Sequence, residues 1–306
     1  MRREKEGESK MTDKKPPQFY RQRFLLALLS VFGKKLTKTD FQKYLFLYQK
    51  EYQQENQTYF FVPYKYGPFS FQSYADLRRL EEIGFIQRSE ILELKDDYDY
   101  TNYLKENDQT VLAQFYHDYK NLKGNDLIRY VYIRYPYYAS KSLIADKILG
   151  NVSSVVKNQD ETSCLFSLGY EGITIDQYLD KILFHNIKMV VDVRKNPVSM
   201  KYGFSGKTLK NSLQELNIEY CHLPELGIDS QERQNLSSLE DYRILFDSYE
   251  KNTLVAQKKS LSALNNLYCS KKRIALTCFE KDYRFCHRSK ITDWLKKEYG
   301  IKAWHL

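Results

Sequence analysis

The feature that most narrows the fold is an alternation in the second half of the chain. Short, nearly continuous apolar runs, CLFSLGY (164–170), IKMVVDVR (187–194), IEYCHLP (218–224), KRIALTC (272–278) and IKAWHL (301–306), alternate with stretches whose apolar residues recur at helical spacing. A strand covered on both faces has no polar side to alternate, so such runs read as parallel strands. Helices at 174–186, 205–217, 239–268 and 287–300 would cover the two faces, predicting a five-stranded, three-layer α/β domain over 163–306.

The first half has another grammar. FYRQRFLLALLSVFG (19–33) and LTKTDFQKYLFLYQKEY (36–52) read as amphipathic helices, the second with Thr39 or Asp40 as N-cap. TYFFVPYKYGPFS (58–70) is extended and broken at Gly67-Pro68; SFQSYADLRRLEEIG (70–84) is a third helix closing on Gly84. FIQRSEILEL (85–94) suggests a hairpin. Three helices and a two-stranded wing are the order of a winged helix-turn-helix, and further helices are expected at 107–122 and 126–133. Residues 1–17 read as a flexible basic tail, 18–140 as a mainly helical recognition domain and 141–162 as a linker. The boundary falls near Asn158.

The stretch from about Lys35 to Gln87 resembles the Panacea (SocA-like antitoxin) domain family. The resemblance rests on LTKTDFQKYLFLYQ, the turn YKYGPFS (64–70) and LRRLEEIGFI. It implies a protein-interaction role and a setting in toxin neutralisation or phage defence; a Gly-Pro loop with packed aromatics is the plainer reading of the turn.

No run approaches the ~18 apolar residues of a membrane span, and the charged N-terminus lacks the apolar core of a secretory signal. Five cysteines at irregular spacing are no disulfide framework. A cytoplasmic protein with reduced thiols is expected. The net charge of +9 favours polyanions. It is concentrated in RKNPVSMKYGFSGKTLK (194–210), which holds Arg194, Lys195, Lys201, Lys207 and Lys210 and no carboxylate.

Open parallel sheets bind ligands outside the carboxyl ends of their strands. That rule collects Gly169-Tyr170-Glu171, Asp192 with Arg194, Tyr220-Cys221-His222 with Glu225 beyond, and Cys278 with Glu280. Cys286, His287 and Arg288 begin the next helix, where free N–H groups favour an anion or a thiolate. SLGYEG, VVDVRKNPVS, LNIEYCHLPELG, LTCFEKDYRFCHR and the closing WHL resemble, in order and spacing, the domain-of-unknown-function family 488 over about Ser163 to Leu306. Tyr170 departs from the Thr, Ser or His often found there. The resemblance implies the fold and the site residues Asp192, Arg194, Cys278, Glu280, Cys286, His287 and Arg288, and no reaction.

TCFEKDYRFCHRSK (277–290) admits several chemistries. Zinc at Cys278, Cys286 and His287 lacks C-x₂₋₄-C spacing, and neighbouring Cys-His strains one tetrahedron. A disulfide between the cysteines is opposed by a reducing interior. Burial of both as inert core competes with a functional thiol, for which Cys286 is the better candidate and Cys278 the one more readily assigned to the core. Arg288 reads as an anion ligand oriented by Glu280 or Asp192, or as a plain bridge to one of them. His287 is a general base or only a helix-start side chain. Arg194, Lys195 and Lys201 favour phosphate, and Tyr170 and Tyr202 offer faces for a base. Cys221 and His222 point oppositely, so one of them faces the site.

The phosphate-loop, dinucleotide, zincin and nucleophile-elbow motifs are all missing from the sequence. The expectation is an enzyme directed at nucleic acid, DNA first, or at a nucleotide. It would be a hydrolase of a phosphoester or glycosidic bond that needs no metal or other cofactor, with Asp192, Glu280, Cys286 and His287 as its reacting groups. The alternative is a non-catalytic DNA-binding regulator or an antitoxin-like adaptor for a protein partner.

Overall fold

The computed structural model describes residues 15–150, 160–229, 231–233, 236 and 238–306. The first fourteen residues of the tail and the expected boundary near Asn158 lie outside the described residues.

The chain forms two compact units. In the first, helix α1 (Tyr20–Val31) leads through strand β1 (Lys35–Thr37) into α2 (Lys38–Glu51). Thr37, rather than Thr39 or Asp40, caps α2, its side chain accepting from the Asp40 N–H at 3.0 Å. A hairpin of strands β2 (Val62–Tyr64) and β3 (Gly67–Phe69) precedes α3 (Phe71–Glu82). Strands β4 (Ile86–Arg88) and β5 (Ile91–Leu94) then join β1 in an antiparallel sheet of order β1-β5-β4. Helices α4 (Glu106–Tyr119), α5 (Gly124–Arg134), α6 (Pro136–Ala139) and α7 (Ala145–Leu149) follow. Asp76 is the buried polar hub of this unit, accepting from Arg21, Gln22 and Tyr59.

Phe60–Gln72 and Pro136–Leu143 pack with the second unit, although their place in the chain suggests the first. The reason is apolar and polar contact together. Val62 is fully buried in the core of the α/β unit, and Tyr137 donates to Asp180 at 2.7 Å. Asp176, fully buried, accepts from the Ser70 hydroxyl and the Phe71 and Gln72 N–H groups.

The second unit contains strand β6 (Cys164–Gly169), helix α8 (Ile175–Phe184), β7 (Met189–Asp192), α9 (Gly206–Glu215) and β8 (Glu219–His222). Helices α10 (Leu239–Ser248) and α11 (Lys258–Lys271), joined by a π-turn at Tyr249–Leu254, lead to β9 (Arg273–Cys278), α12 (Arg288–Tyr299) and β10 (Ala303–His305). All five strands are parallel, in order β10-β6-β9-β7-β8. The helices obey local rules. Thr174 and Gln177 form a capping box for α8, whose Ile175, Tyr178, Leu179 and Ile182 make one buried stripe. Gly300 ends α12 in the left-handed conformation.

One core packs α8 and α9 on one face of the sheet; the other packs α10, α11 and α12 on the opposite face. The chain leaves β7 toward α9 and leaves the neighbouring β9 toward α12, so adjacent connections diverge to opposite faces. That divergence opens a crevice beyond the carboxyl ends of β7 and β9, as it does in open α/β sheets generally.

Candidate functional site

The registers align the strand ends. Gly169 pairs with Cys278, and Asp192 lies between Thr277 and His222. Two glycines let loops close over this edge. A side chain at Gly169 would put Cβ 1.9 Å from the Glu280 carbonyl oxygen, and one at Gly227 would put it 2.1 Å from the Lys195 nitrogen. No Cβ approaches backbone so closely, so both positions demand glycine.

Asp192 is fully buried and saturated. Its Oδ1 accepts from Arg194 Nε (2.8 Å) and the Arg194 N–H (3.1 Å); its Oδ2 accepts from Arg194 NH2 (2.5 Å) and the Tyr220 hydroxyl (2.8 Å). Arg194 spends NH1 on the Tyr170 hydroxyl and the Phe204 carbonyl. This is a buried bidentate pair that shapes the crevice wall. Four engaged N–H groups leave Arg194 little with which to hold a phosphate, so that part of the expectation is corrected.

Arg288 is corrected likewise. Buried to 1% exposure, it pairs with neither Glu280 nor Asp192 through a carboxylate. Nε donates to Cys286 Sγ (3.2 Å), NH1 to Ser167 Oγ (3.0 Å) and NH2 to the Glu280 carbonyl. A buried guanidinium keeps its charge and needs a counter-ion. Around the site, Arg194 pairs with Asp192 and Arg233 with Glu280.

Of the two cysteines, the surroundings depress Cys278 rather than the expected Cys286. Burial alone would push the Cys278 thiol up. It is outweighed by a hydrogen bond from the Cys286 thiol and by the Arg233 guanidinium, which together hold Cys278 well below the usual thiol range. Burial first, then the hydrogen bond to Cys278 and its charge, push Cys286 well above that range against the opposing pull of Arg288. Cys278 Sγ also lies 3.2 Å from Glu280 Oε2, a contact that needs one proton between them. Glu280 is raised accordingly, by burial first and then by the Cys278 charge.

His287 caps α12 with its ring fixed by two contacts. Nε2 lies 2.9 Å from the Val193 carbonyl and must carry hydrogen; Nδ1 lies 2.9 Å from Arg233 NH2 and must accept. The Nδ1 lone pair is therefore engaged by a cation, which leaves His287 a positioning part rather than a base. Cys278, Cys286 and His287 bring their donor atoms within 4.8 Å of one another, the makings of a soft-metal site, but Arg233 holds the imidazole donor.

Arg233 is the crevice-lining residue that the sequence concealed. It donates to Glu280 Oε1 at 2.7 Å and, with Tyr170, Arg194, Lys195, Cys278 and Phe279, lines a crevice of about 330 Å³. It lies in the connection between β8 and α10, where QERQ carries no recognisable motif. Lys195 is exposed at the mouth. Lys201 donates to the Tyr170 carbonyl (2.9 Å). The Tyr170 ring is not open for a base, because Phe204 stacks on it at 4.2 Å. Tyr202, 40% exposed, lies outside the crevice lining, and the apolar groups exposed at the rim are Val198, Met200 and Phe279. His222 Nε2 contacts the Arg194 carbonyl (2.8 Å), so it braces the loop, and Glu225 is exposed on a short turn.

The unit is thus a parallel α/β sheet carrying a cysteine–arginine–glutamate crevice at its carboxyl edge. Residues 174–295 match the family model described as domain of unknown function DUF488, a narrower span than the 163–306 of the sequence resemblance. No curated protein and no solved structure matches the chain. Among the described residues no helix is long and apolar enough to cross a membrane.

Proposed function

We propose that the α/β unit is an enzyme acting on a phosphate-bearing substrate, a nucleotide or nucleic acid, with Cys278 as its nucleophile. The observation that carries this reading is Cys278 at the floor of a cation-lined crevice, on the central strand of the sheet. Arg233 and Lys195 would hold the phosphate, while Val198, Met200 and Phe279 give the rim an apolar surface suited to a base. Glu280, beside the sulfur and raised toward its protonated form, would give its proton to the leaving group as the thiolate attacks. Asp192 and Arg288 build the site without touching substrate.

The first unit supports a recognition role. Its order of helix, strand, helix, helix and two strands, closed as β1-β5-β4, is the one a winged helix uses for duplex DNA or for a partner protein. The same order suits the second reading, a non-catalytic regulator or SocA-like antitoxin adaptor, including one in phage defence.

The test uses the full chain against nucleotides and short single- and double-stranded nucleic acids. Binding should weaken by orders of magnitude between ~50 and ~200 mM salt if several phosphates are held. Cys278→Ser should retain binding and lose turnover. Binding without turnover in the wild type would favour the regulator, and no binding at low salt would overturn the enzyme and the DNA-binding regulator and leave the protein adaptor.

A further inference from the structure

Cys286 has no part in the proposed reaction, yet it is buried directly behind the nucleophile. Cys278 and Cys286 are separated by a short loop whose only helical element is a single 3-10 turn at Tyr283–Phe285. Both sulfurs lie against His287 Nδ1, at 3.9 and 3.8 Å, and all three atoms fall within 4.8 Å of one another. A disulfide needs about 2.05 Å between sulfurs, so the gap is of a size that a side-chain rotation spans. Arg288 Nε donates to the Cys286 sulfur at 3.2 Å. A guanidinium in that place stabilises the thiolate that Cys286 becomes once Cys278 has lost its charge.

We infer that Cys278 and Cys286 form a peroxide-reactive dithiol, in which Cys278 takes the oxygen and Cys286 resolves it to an intramolecular disulfide. The Cys278 thiolate attacks one oxygen of hydrogen peroxide; the O–O bond breaks, hydroxide leaves, and Cys278 becomes a sulfenic acid. With its negative charge gone, Cys286 loses the neighbour that kept it protonated. Its sulfur attacks Cys278 sulfur, the S–O bond breaks, and the departing hydroxide takes the Cys286 proton as water. Two sulfurs are oxidised by two electrons in total and the peroxide is reduced by two. A transient bond of this kind is consistent with a reducing compartment, where thiols restore the pair.

The inference rests on the reading of Cys278 as a thiolate at the crevice floor, but not on the identity of the substrate. The disulfide would silence the enzyme reversibly and spare Cys278 from irreversible oxidation.

The experiment treats the reduced full chain with hydrogen peroxide and maps all five cysteines by mass spectrometry, with exposed Cys269 as internal control. Wild type should lose two hydrogens and yield linked peptides joining Cys278 to Cys286, at least about tenfold faster than Cys269 is oxidised, and dithiothreitol should reverse it. Cys286→Ser should instead accumulate a dimedone adduct at Cys278, and Cys278→Ser should leave Cys286 unoxidised. Because Cys286→Ser removes an acceptor from Arg288, the linked peptides of the wild type stand as the primary readout. Rapid alkylation of Cys278 without any Cys278–Cys286 linkage would overturn the disulfide alone. Oxidation of Cys269 ahead of a silent Cys278 would overturn the thiolate reading as well.

Discussion

Removing the Asp192 carboxylate separates a structural carboxylate from a catalytic one. In Asp192→Ala, Arg194 stays buried at 6% exposure, and four hydrogen bonds vanish, two of them from its guanidinium. Breaking one side of a buried pair costs about 3–5 kcal/mol, because the other charge is left uncompensated. At about 2–4 °C per kcal/mol for a unit of 150–250 residues, that lowers the melting temperature by roughly 6–20 °C. Asp192→Leu with Arg194→Met removes both charges and should recover part of the loss. Recovery stops short of wild type, since the Tyr220 hydroxyl and the Phe204 carbonyl each keep an unmet hydrogen bond worth about 1–3 kcal/mol. Circular dichroism melts and urea titrations of wild type, Asp192→Leu, Arg194→Met and the double variant form a double-mutant cycle. A single substitution costing under about 1 kcal/mol, with turnover abolished in a fully folded protein, would make Asp192 a reacting group and refute the structural assignment.

Four further outcomes follow from particular contacts. Gly169→Ala forces the Glu280 backbone away, so it should abolish fast alkylation of Cys278 and cost about 1–3 kcal/mol or more; unchanged labelling would show that the loop yields freely. Asp176→Ala strips the acceptor from Ser70, Phe71 and Gln72 and should cost about 0.5–2 kcal/mol in urea titration, whereas a neutral result would mean that water replaces it. Arg233→Met should weaken phosphate-bearing ligands and reduce the salt dependence of their binding, with a loss of stability because Glu280 and His287 Nδ1 lose their donor; unaltered affinity would remove Arg233 from the crevice chemistry. The cysteine pair should also shape stability against pH. Cys278 is depressed on folding, so its contribution is present above the ~8.5 of a free thiol and is lost as pH falls through its folded value. Cys286 is raised, so its contribution is lost as pH rises above ~8.5. Unfolding midpoints should therefore peak near that pH and flatten in Cys278→Ser; a monotonic profile would contradict the pairing.

The sheet was legible because strands buried on both faces betray themselves by unbroken apolar runs, and the rule for carboxyl ends then gathered Asp192, Cys278 and Glu280 on one edge. Roles within that edge were not legible. A cysteine at a helix start and a cysteine at a strand end look equally plausible until the surroundings are known, and here proton sharing with Cys286 favours the strand end. Arg288 and Arg194 looked like anion ligands because guanidiniums bind phosphate, but their donors turn inward to Ser167, to backbone carbonyls and to Asp192. Arg233 had no neighbour in sequence to announce it, since its partners Glu280 and His287 lie about fifty residues on. The Gly67-Pro68 turn misled for a different reason. Its local signal reads as an extended stretch broken at the turn, which the chain forms as a hairpin, but Val62 chooses the core it enters by packing that no local pattern encodes.

The most direct test of the account is the rate at which iodoacetamide modifies Cys278 and Cys286 in the folded chain as pH is varied from ~5 to ~9. Cys278 should be modified well below the ~8.5 of a free thiol, ahead of exposed Cys269, and a bound nucleotide should slow it. Cys286 should stay protected throughout. Modification of Cys286 first, or silence at Cys278 until the pH at which Cys269 reacts, would contradict a thiolate nucleophile at the floor of the crevice.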